Sequence, residues 1–274
     1  MQVKIKEFDA GKIAESGQCF RMIMTDDGSY DVIYKNHYLN IKPVCYNEIT
    51  GEYELDFDCS EEEYESIWKP YFDIDTDYSK LATLVDKEDK FLNEAVNFGR
   101  GMRILRQDPW EMLISFIISQ RKSIPAIRTS VERLCKLCGE KIDTRYGEKY
   151  LFPDAQAVAK LTIDELASCG LGYRARYISE TAKKVASGEI DIYEMAKLDD
   201  IELKEALMSL CGVGVKVADC VMLFGYRRMN AFPEDVWIKR AMQNEYPNGF
   251  PFEKYQGYSG IMQQYIFFYI RSRK

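Results

Sequence analysis

The 274-residue chain has a single histidine, His37, and no run of about 20 apolar residues such as a membrane-spanning helix requires. Its first residues begin no apolar segment of the signal-peptide type. His37 lies in an acidic region that favours strands, which argues against a reaction built on histidine. We therefore predict an intracellular protein with no membrane partner, and 46% hydrophobic residues are enough for a substantial core.

Metal-binding patterns are also scarce. The eight cysteines are scattered, and Cys135 and Cys138 form the only C-x-x-C pair, without a second pair at metal-ligand spacing. An intracellular chain of this size does not need disulfides. We expect reduced, mostly buried cysteines, no metal or iron–sulfur site, and a helix end at Cys135 and Cys138.

Acidic residues outnumber basic ones, so the formal net charge is -7. Phosphate binding relies largely on Lys and Arg, so this balance argues at first against a nucleic-acid partner. The charge is unevenly spread, however. Residues 1–98 carry 10 Lys and Arg against 22 Asp and Glu, whereas residues 99–274 carry 27 against 22. The mildly basic C-terminal part keeps a polyanionic partner open.

The hydrophobic pattern predicts an α+β fold with two domains. Aromatic and β-branched runs at residues 30–34, 38–41 and 53–57 indicate a small antiparallel β-sheet domain over residues 1–98. Asp108 and Pro109 begin a mostly α-helical region that we assign to residues 99–274. Its predicted helices span residues 110–120, 124–136, 155–160, 163–169, 174–187, 201–210, 214–225, 235–245 and 259–271, joined by short turns.

The segment C-G-V-G-V-K-V-A-D-C, residues 211–220, predicts two helices joined by a glycine hairpin at Gly212, Val213 and Gly214. Glycines let a backbone approach a ligand closely, and amides at a helix start favour an anion such as phosphate. Glycines at such a turn more often serve packing. Lys216 strengthens the functional interpretation, because a cation in the first turn of a helix is electrostatically disfavoured and its amine can act as a nucleophile. A solvated surface lysine is the alternative.

Asp235 follows Pro233 and Glu234 at a predicted helix start, where an ordinary helix cap is one interpretation. The other is a carboxylate that stabilises positive charge on a sugar ring, as carboxylates do in glycoside hydrolysis. Both interpretations stay open from the residues alone.

With the glycine hairpin, Lys216 and Asp235 in these positions, the chain resembles the helix-hairpin-helix DNA glycosylases, most closely their 8-oxoguanine DNA glycosylase branch. The resemblance covers most of the chain. It implies that Lys216 attacks the sugar anomeric carbon and that Asp235 is the second catalytic residue. The implied enzyme is a bifunctional DNA glycosylase and AP lyase that works through a lysine Schiff base without a cofactor.

The same resemblance implies a pocket for a base that is extruded from the duplex. Gly17, in the segment S-G-Q-C-F-R, would accept a hydrogen bond from the N7–H that oxidised guanine has and guanine lacks. Gln263 and Phe267, four residues apart on a predicted helix, would read the base edge and stack on the base, opposite Cys220. A connecting glycine and a core aromatic are the alternatives.

The resemblance also implies DNA contacts outside that pocket. Tyr173 would wedge into the base stack, and Arg174 would contact the cytosine left unpaired. Arg121 is a further predicted DNA contact. Two positions of its segment depart from the family pattern: Arg121 stands where the family has a space-filling asparagine, and Ala126 where it has a second cytosine-reading arginine. Trp237 also replaces a phosphate-contacting histidine of the eukaryotic members.

The predicted partner is double-stranded DNA that contains a damaged purine, bound by a monomer in the cytoplasm or associated with the nucleoid. Two alternatives remain open. An alkylated-purine glycosylase would use water and would not require Lys216, and a non-catalytic helix-hairpin-helix module would bind DNA in a salt-dependent manner without releasing a base.

Overall fold

The computed structural model describes residues 1–273. Its strands are β1 Gln2–Lys6, β2 Met22–Met24, β3 Tyr30–Tyr34, β4 His37–Asn47, β5 Glu52–Phe57, β6 Lys141–Thr144 and β7 Gly147–Tyr150. Its α-helices are α1 Ala10–Glu15, α2 Glu61–Glu63, α3 Lys69–Tyr71, α4 Leu81–Leu84, α5 Lys90–Gly99, α6 Pro109–Ser119, α7 Ile124–Cys138, α8 Ala155–Ala159, α9 Ile163–Leu166, α10 Arg174–Ala186, α11 Asp200–Met208, α12 Val215–Phe224, α13 Val236–Glu245 and α14 Ser259–Ser272. Within residues 1–273, no helix is both long enough and apolar enough to cross a membrane.

The chain divides into two compact units. The first contains residues 1–32, 39–106 and the segment from residue 227 onward, and the second contains residues 33–38 and 107–226. Each unit is thus assembled from segments that are distant in sequence. The domain boundary predicted between residues 98 and 99 stays a prediction.

The first unit is built on an antiparallel sheet of order β1-β5-β4-β3-β2, which confirms the sheet predicted near the N-terminus. A bulge between Pro43 and Cys45 shifts the pairing of β4 with β5. Aromatic side chains fill the core beside this sheet, where the Phe72 ring centroid lies 5.2 Å from Phe8 and 5.9 Å from Phe57. The burial of these large rings stabilises the unit.

Arg103 is the buried cross-link of the first unit. It is 3% exposed, and its guanidinium donates hydrogen bonds to the carbonyls of Lys6 at 2.8 Å, Glu7 at 2.7 Å, Asp73 at 2.6 Å and Thr76 at 3.3 Å. These carbonyls belong to the last residue of β1, to Glu7 directly after it, and to the turn that follows α3. Since a buried carbonyl without a donor is costly, one arginine satisfies two segments at once.

The second unit is mostly helical, with α6 at its centre. Nine of the eleven residues of α6 are buried, and α6 packs on α12 through Phe116 and Phe224, whose rings stack with centroids 5.5 Å apart. All nine predicted helices of the C-terminal region occur within a few residues of their expected bounds, and α9 continues to Leu171 as a π-helical turn. The predicted helix end at Cys138 is confirmed as well.

The structure of residues 141–150 differs from the prediction. They were expected to lie among helices and turns, but β6 and β7 pair as a two-stranded antiparallel ribbon. The segment K-I-D-T-R-Y-G-E-K-Y alternates polar and larger side chains and has Gly147 at a φ of +96° in its turn. Its few apolar residues make the alternation too weak to identify from sequence.

Arg103→Leu should lower the free energy of unfolding by about 3 kcal/mol or more, because it leaves buried carbonyls without donors. The matched control is Arg106→Leu, since Arg106 is half-exposed and shares the Asp73 carboxylate with Arg227. It should cost about 1 kcal/mol or less. Urea unfolding measures both, and equal losses would contradict the role given to Arg103.

Candidate functional site

The hairpin between α11 and α12 depends on Gly212. Its φ is +79°, and a Cβ at this position would lie 2.4 Å from Cδ2 of Tyr177. The Gln120 side-chain amide donates to the Gly212 carbonyl at 3.0 Å. Val213 is buried, while Gly214 is exposed and caps α12 with no side chain. The turn is therefore held from one side by a ring and from another by an amide.

Lys216 is the second residue of α12 and is half-buried. Its Nζ lies 5.3 Å from the centroid of the Phe116 ring on α6, a cation–π contact. No described carboxylate of the second unit forms an ion pair with this amine. An amine that rests on a ring and is not neutralised within its unit can be offered to a reaction partner.

Cys220 follows Lys216 by one helical turn on α12 and is buried. Its neighbour Asp219 is buried too, and forms an ion pair with Lys204 of α11, with 2.7 Å between Nζ and Oδ1. Burial raises the pKa of Asp219 above its ordinary value, and Lys204 partly opposes this shift. The ion pair ties the two helices of the hairpin together.

The turn between α6 and α7 lies next to the start of α10. Arg121 is exposed and has a φ of +53°, a conformation in which asparagine is enriched and arginine is uncommon. Arg174 is only 6% exposed, and donates to the carbonyls of Leu171 at 3.2 Å and of Gln120. Tyr173 is 51% exposed, with the Arg174 guanidinium 4.4 Å from its ring centroid. The structure thus brings these three predicted DNA-contacting residues into one region of the second unit.

Four predicted site residues belong to the first unit, and Gly17 is one of them. It has a φ of +80° directly after the C-cap of α1, the position where glycine is favoured. Gln18 fixes the loop, because its side chain donates to the Arg103 carbonyl at 2.8 Å and accepts from the Leu105 amide at 2.8 Å. The Gly17 peptide is therefore held in a defined orientation.

Asp235 caps α13, as the structural interpretation of this residue expected. Its Oδ1 accepts from the Trp237 and Ile238 amides, both at 2.9 Å, and Oδ2 takes part in neither bond. Gln263 of α14 is 3% exposed and donates to the Pro233 carbonyl at 2.8 Å. Gln263 thus tethers the segment that leads to Asp235.

Phe267 lies one turn after Gln263 on α14 and is half-buried, with the Arg271 guanidinium 5.4 Å from its ring centroid. The Phe267 ring is therefore only partly packed into the core, and part of it stays accessible. The i and i+4 spacing predicted for the two side chains holds on this continuous helix.

Three residues that support the site were not predicted from the sequence: Gln18, Gln120 and Tyr177. Each acts through a contact with a residue far along the chain, and their own sequence neighbourhoods carry no pattern that indicates it. Only the positions of Gln18 and Gln120, inside the segments compared with the family, could have drawn attention to them.

The second unit also has an open cavity of about 910 Å³, lined in part by Lys35, Asp108, Glu111 and Tyr193. None of the predicted site residues lines it. Burial, followed by Asp108 and Glu111, raises the pKa of nearby Tyr34 to about 12. An acidic lining disfavours phosphate, so the cavity is not part of the candidate site.

No three His, Cys, Asp or Glu side chains of residues 1–273 are grouped so that they could hold a metal ion. Two family profiles match the chain: the N-terminal domain of 8-oxoguanine DNA glycosylase over residues 1–113, and the HhH-GPD superfamily of base excision DNA repair proteins over residues 114–248. The chain belongs to the HhH-GPD superfamily, in its 8-oxoguanine DNA glycosylase branch. Helix-hairpin-helix describes the α11–α12 pair.

Solved structures and curated sequences of this branch are similar to the chain. MBOgg1 in complex with a low-affinity DNA ligand is 36% identical with a TM-score of 0.90, and covers 99% of this chain and 96% of its own. The 8-oxoguanine glycosylase/lyase of Clostridium acetobutylicum, in complex with double-stranded DNA containing cytosine opposite 8-oxoguanine, is 32% identical at the same TM-score and coverages.

A curated relative, the probable N-glycosylase/DNA lyase of Methanothermobacter thermautotrophicus, is 36% identical over 207 residues. The match spans 68% of this chain and 64% of that relative, so just under two thirds of its length is covered.

Gly212→Ala should lower the free energy of unfolding by about 2–4 kcal/mol, because the methyl group adds a positive-φ strain and a collision with Tyr177. Gly214→Ala is the matched control: a Cβ there meets nothing within 4 Å, so only the lower preference for alanine at a helix N-cap remains and the cost should be about 1 kcal/mol or less. Thermal or urea unfolding compares the two. A neutral Gly212→Ala would show that the turn is not constrained as described.

Proposed function

We propose that this protein excises 8-oxoguanine from double-stranded DNA and then cleaves the strand as an AP lyase. The observation that carries the proposal is the environment of Lys216. This lysine lies at the start of α12, its amine rests on the Phe116 ring, and it forms no ion pair in its own unit. Membership of the 8-oxoguanine branch supports it, as do DNA-bound structures of related glycosylase/lyases.

In the proposed reaction the Lys216 amine attacks C1′ of the damaged nucleotide. The C1′–N9 bond breaks, and the base leaves with that electron pair and takes up a proton. Loss of a proton from nitrogen and opening of the sugar ring give a Schiff base. Removal of a C2′ proton then expels the 3′ phosphate by β-elimination, and water releases the lysine. Asp235 would stabilise the positive charge that develops on the sugar.

Recognition of the base would fall to four residues. The Gly17 carbonyl would accept from N7–H, which distinguishes 8-oxoguanine from guanine by a single donor. Gln263 would read the base edge, while Phe267 and Cys220 would hold its two faces. The hydrogen bonds of Gln18 support the first assignment, since they orient the Gly17 peptide.

Contacts with the duplex would come from Gly212, Val213 and Gly214, whose amides suit a phosphate, and from Tyr173, Arg174 and Arg121. The proposed partner is double-stranded DNA with a damaged purine, and the proposed acting form is a monomer inside the cell.

Lys216→Gln should abolish borohydride-trapped adducts on a duplex carrying one 8-oxoguanine, and lower base release by at least about 10³-fold, because the nucleophile is removed. Lys160→Gln, which removes an exposed lysine of the same unit, is the control and should behave as wild type. Base release without any adduct in the wild type would indicate a water-using glycosylase. DNA binding with neither signal would indicate a non-catalytic module.

The Gly17 carbonyl can be tested through the substrate, since a backbone atom cannot be removed by substitution. A duplex with 7-deaza-8-oxoguanine lacks the N7–H donor and should bind about 10-fold to 100-fold more weakly than the 8-oxoguanine duplex to the non-reactive Lys216→Gln variant. Equal binding of the two duplexes would rule out this hydrogen bond.

A further inference from the structure

Three cations of the second unit converge near Gly170, in the turn that precedes α10. Lys122 donates from Nζ to the Gly170 carbonyl at 2.6 Å and lies 2.5 Å from Ser130 Oγ. A Cβ at Gly170 would lie 3.5 Å from Nη1 of Arg133. Arg174 donates to the neighbouring Leu171 carbonyl. We call Lys122, Arg133 and Arg174 the Gly170 cation cluster.

No described carboxylate forms an ion pair with any member of this cluster. The pKa of Lys122 is lowered by burial first and then by Arg174 and Arg133, so its charged neighbours are themselves cations. Each added like charge makes such a cluster less favourable unless an anion binds there. A cluster without an internal counterion therefore indicates an external one.

Two cations on α10, the helix that carries Arg174, are neutralised within the protein. On α10, Arg176 pairs with Glu180 and Lys184 pairs with Glu189, both at 2.7 Å. The Gly170 cation cluster thus differs from Arg176 and Lys184, whose charges are compensated by acidic partners.

Backbone groups add to the positive potential. Helix α7 begins after Ser123, which makes no capping hydrogen bond through its side chain, and α10 begins after Tyr173, which makes none either. First-turn amides without side-chain acceptors carry partial positive charge. Arg133 is exposed and makes no ion pair among the described residues, so a guanidinium is available for bidentate contact with phosphate oxygens.

We infer that the Gly170 cation cluster binds a backbone phosphate of the DNA duplex, with Arg133 as its exposed contact and Lys122 as its half-buried charge. This inference rests on the proposed function, because it takes DNA as the partner. It adds a phosphate contact that is separate from the glycine hairpin.

The test is a salt titration of binding to a duplex with a stable abasic-site analogue, for wild type, Arg133→Gln and Lys184→Gln. Both variants remove one positive charge, but only Arg133 belongs to the cluster. We expect Arg133→Gln to weaken binding several-fold and to reduce the slope of log K against log salt by about 0.9, and Lys184→Gln to leave the slope unchanged. Equal slopes for Arg133→Gln and wild type would overturn the inference, as would equal changes in the two variants.

Methylphosphonate substitution, one phosphate at a time, identifies the contact. We expect one position at which the neutral linkage weakens DNA binding by the wild type but does not weaken binding by Arg133→Gln any further. If the losses of affinity from the linkage and from Arg133→Gln were additive at every position, a direct contact would be contradicted. Inorganic phosphate at constant ionic strength should not displace the duplex; displacement from wild type but not from Arg133→Gln would make this a free-anion site instead. If wild type binds the duplex with this pattern but releases no base, the proposed function alone fails.

Discussion

The hairpin turn at Gly212 is the constraint on which the position of α12 depends. The Tyr177 ring leaves no room for a side chain there, and the Gln120 amide holds its carbonyl, so the turn is constrained at both points. Helix α12 begins three residues later and carries Lys216 over the Phe116 ring. The ion pair of Asp219 with Lys204 then fixes α12 against α11. The Lys216 amine is in this way positioned by the packing and hydrogen bonds of surrounding residues.

The net charge of -7 is compatible with a DNA partner because charges act locally. Several basic side chains of the second unit, including Arg176, Lys184 and Lys141, are already paired with carboxylates and attract an outside anion weakly. Lys122, Arg133 and Arg174 are not paired in this way, so a small number of residues can supply the phosphate contacts. Overall charge alone is then a poor guide to the partner.

Local chemistry made much of the fold predictable. Asp108 and Asp235 indicate helix starts, because their carboxylates accept hydrogen bonds from backbone amides of the first helical turn. The glycines at 212 and 214 indicate a turn between two apolar helices. The residues that hold the site were not predictable, because Gln120 meets Gly212 across 92 positions and Gln18 meets Arg103 across 85. The β6–β7 ribbon was not predicted because it is short, polar and half-exposed. The family resemblance, not periodicity, supplied the roles of Gly17, Gln263 and Phe267.

The central claim is that the amine at the start of α12 forms the covalent bond to DNA. Mass spectrometry of the borohydride-reduced adduct, after digestion of both protein and DNA, tests this most directly because it locates the modified residue. The account predicts that the sugar remnant is attached to Lys216 alone. Attachment to the N-terminal amine or to another lysine would contradict it, even if base release were normal.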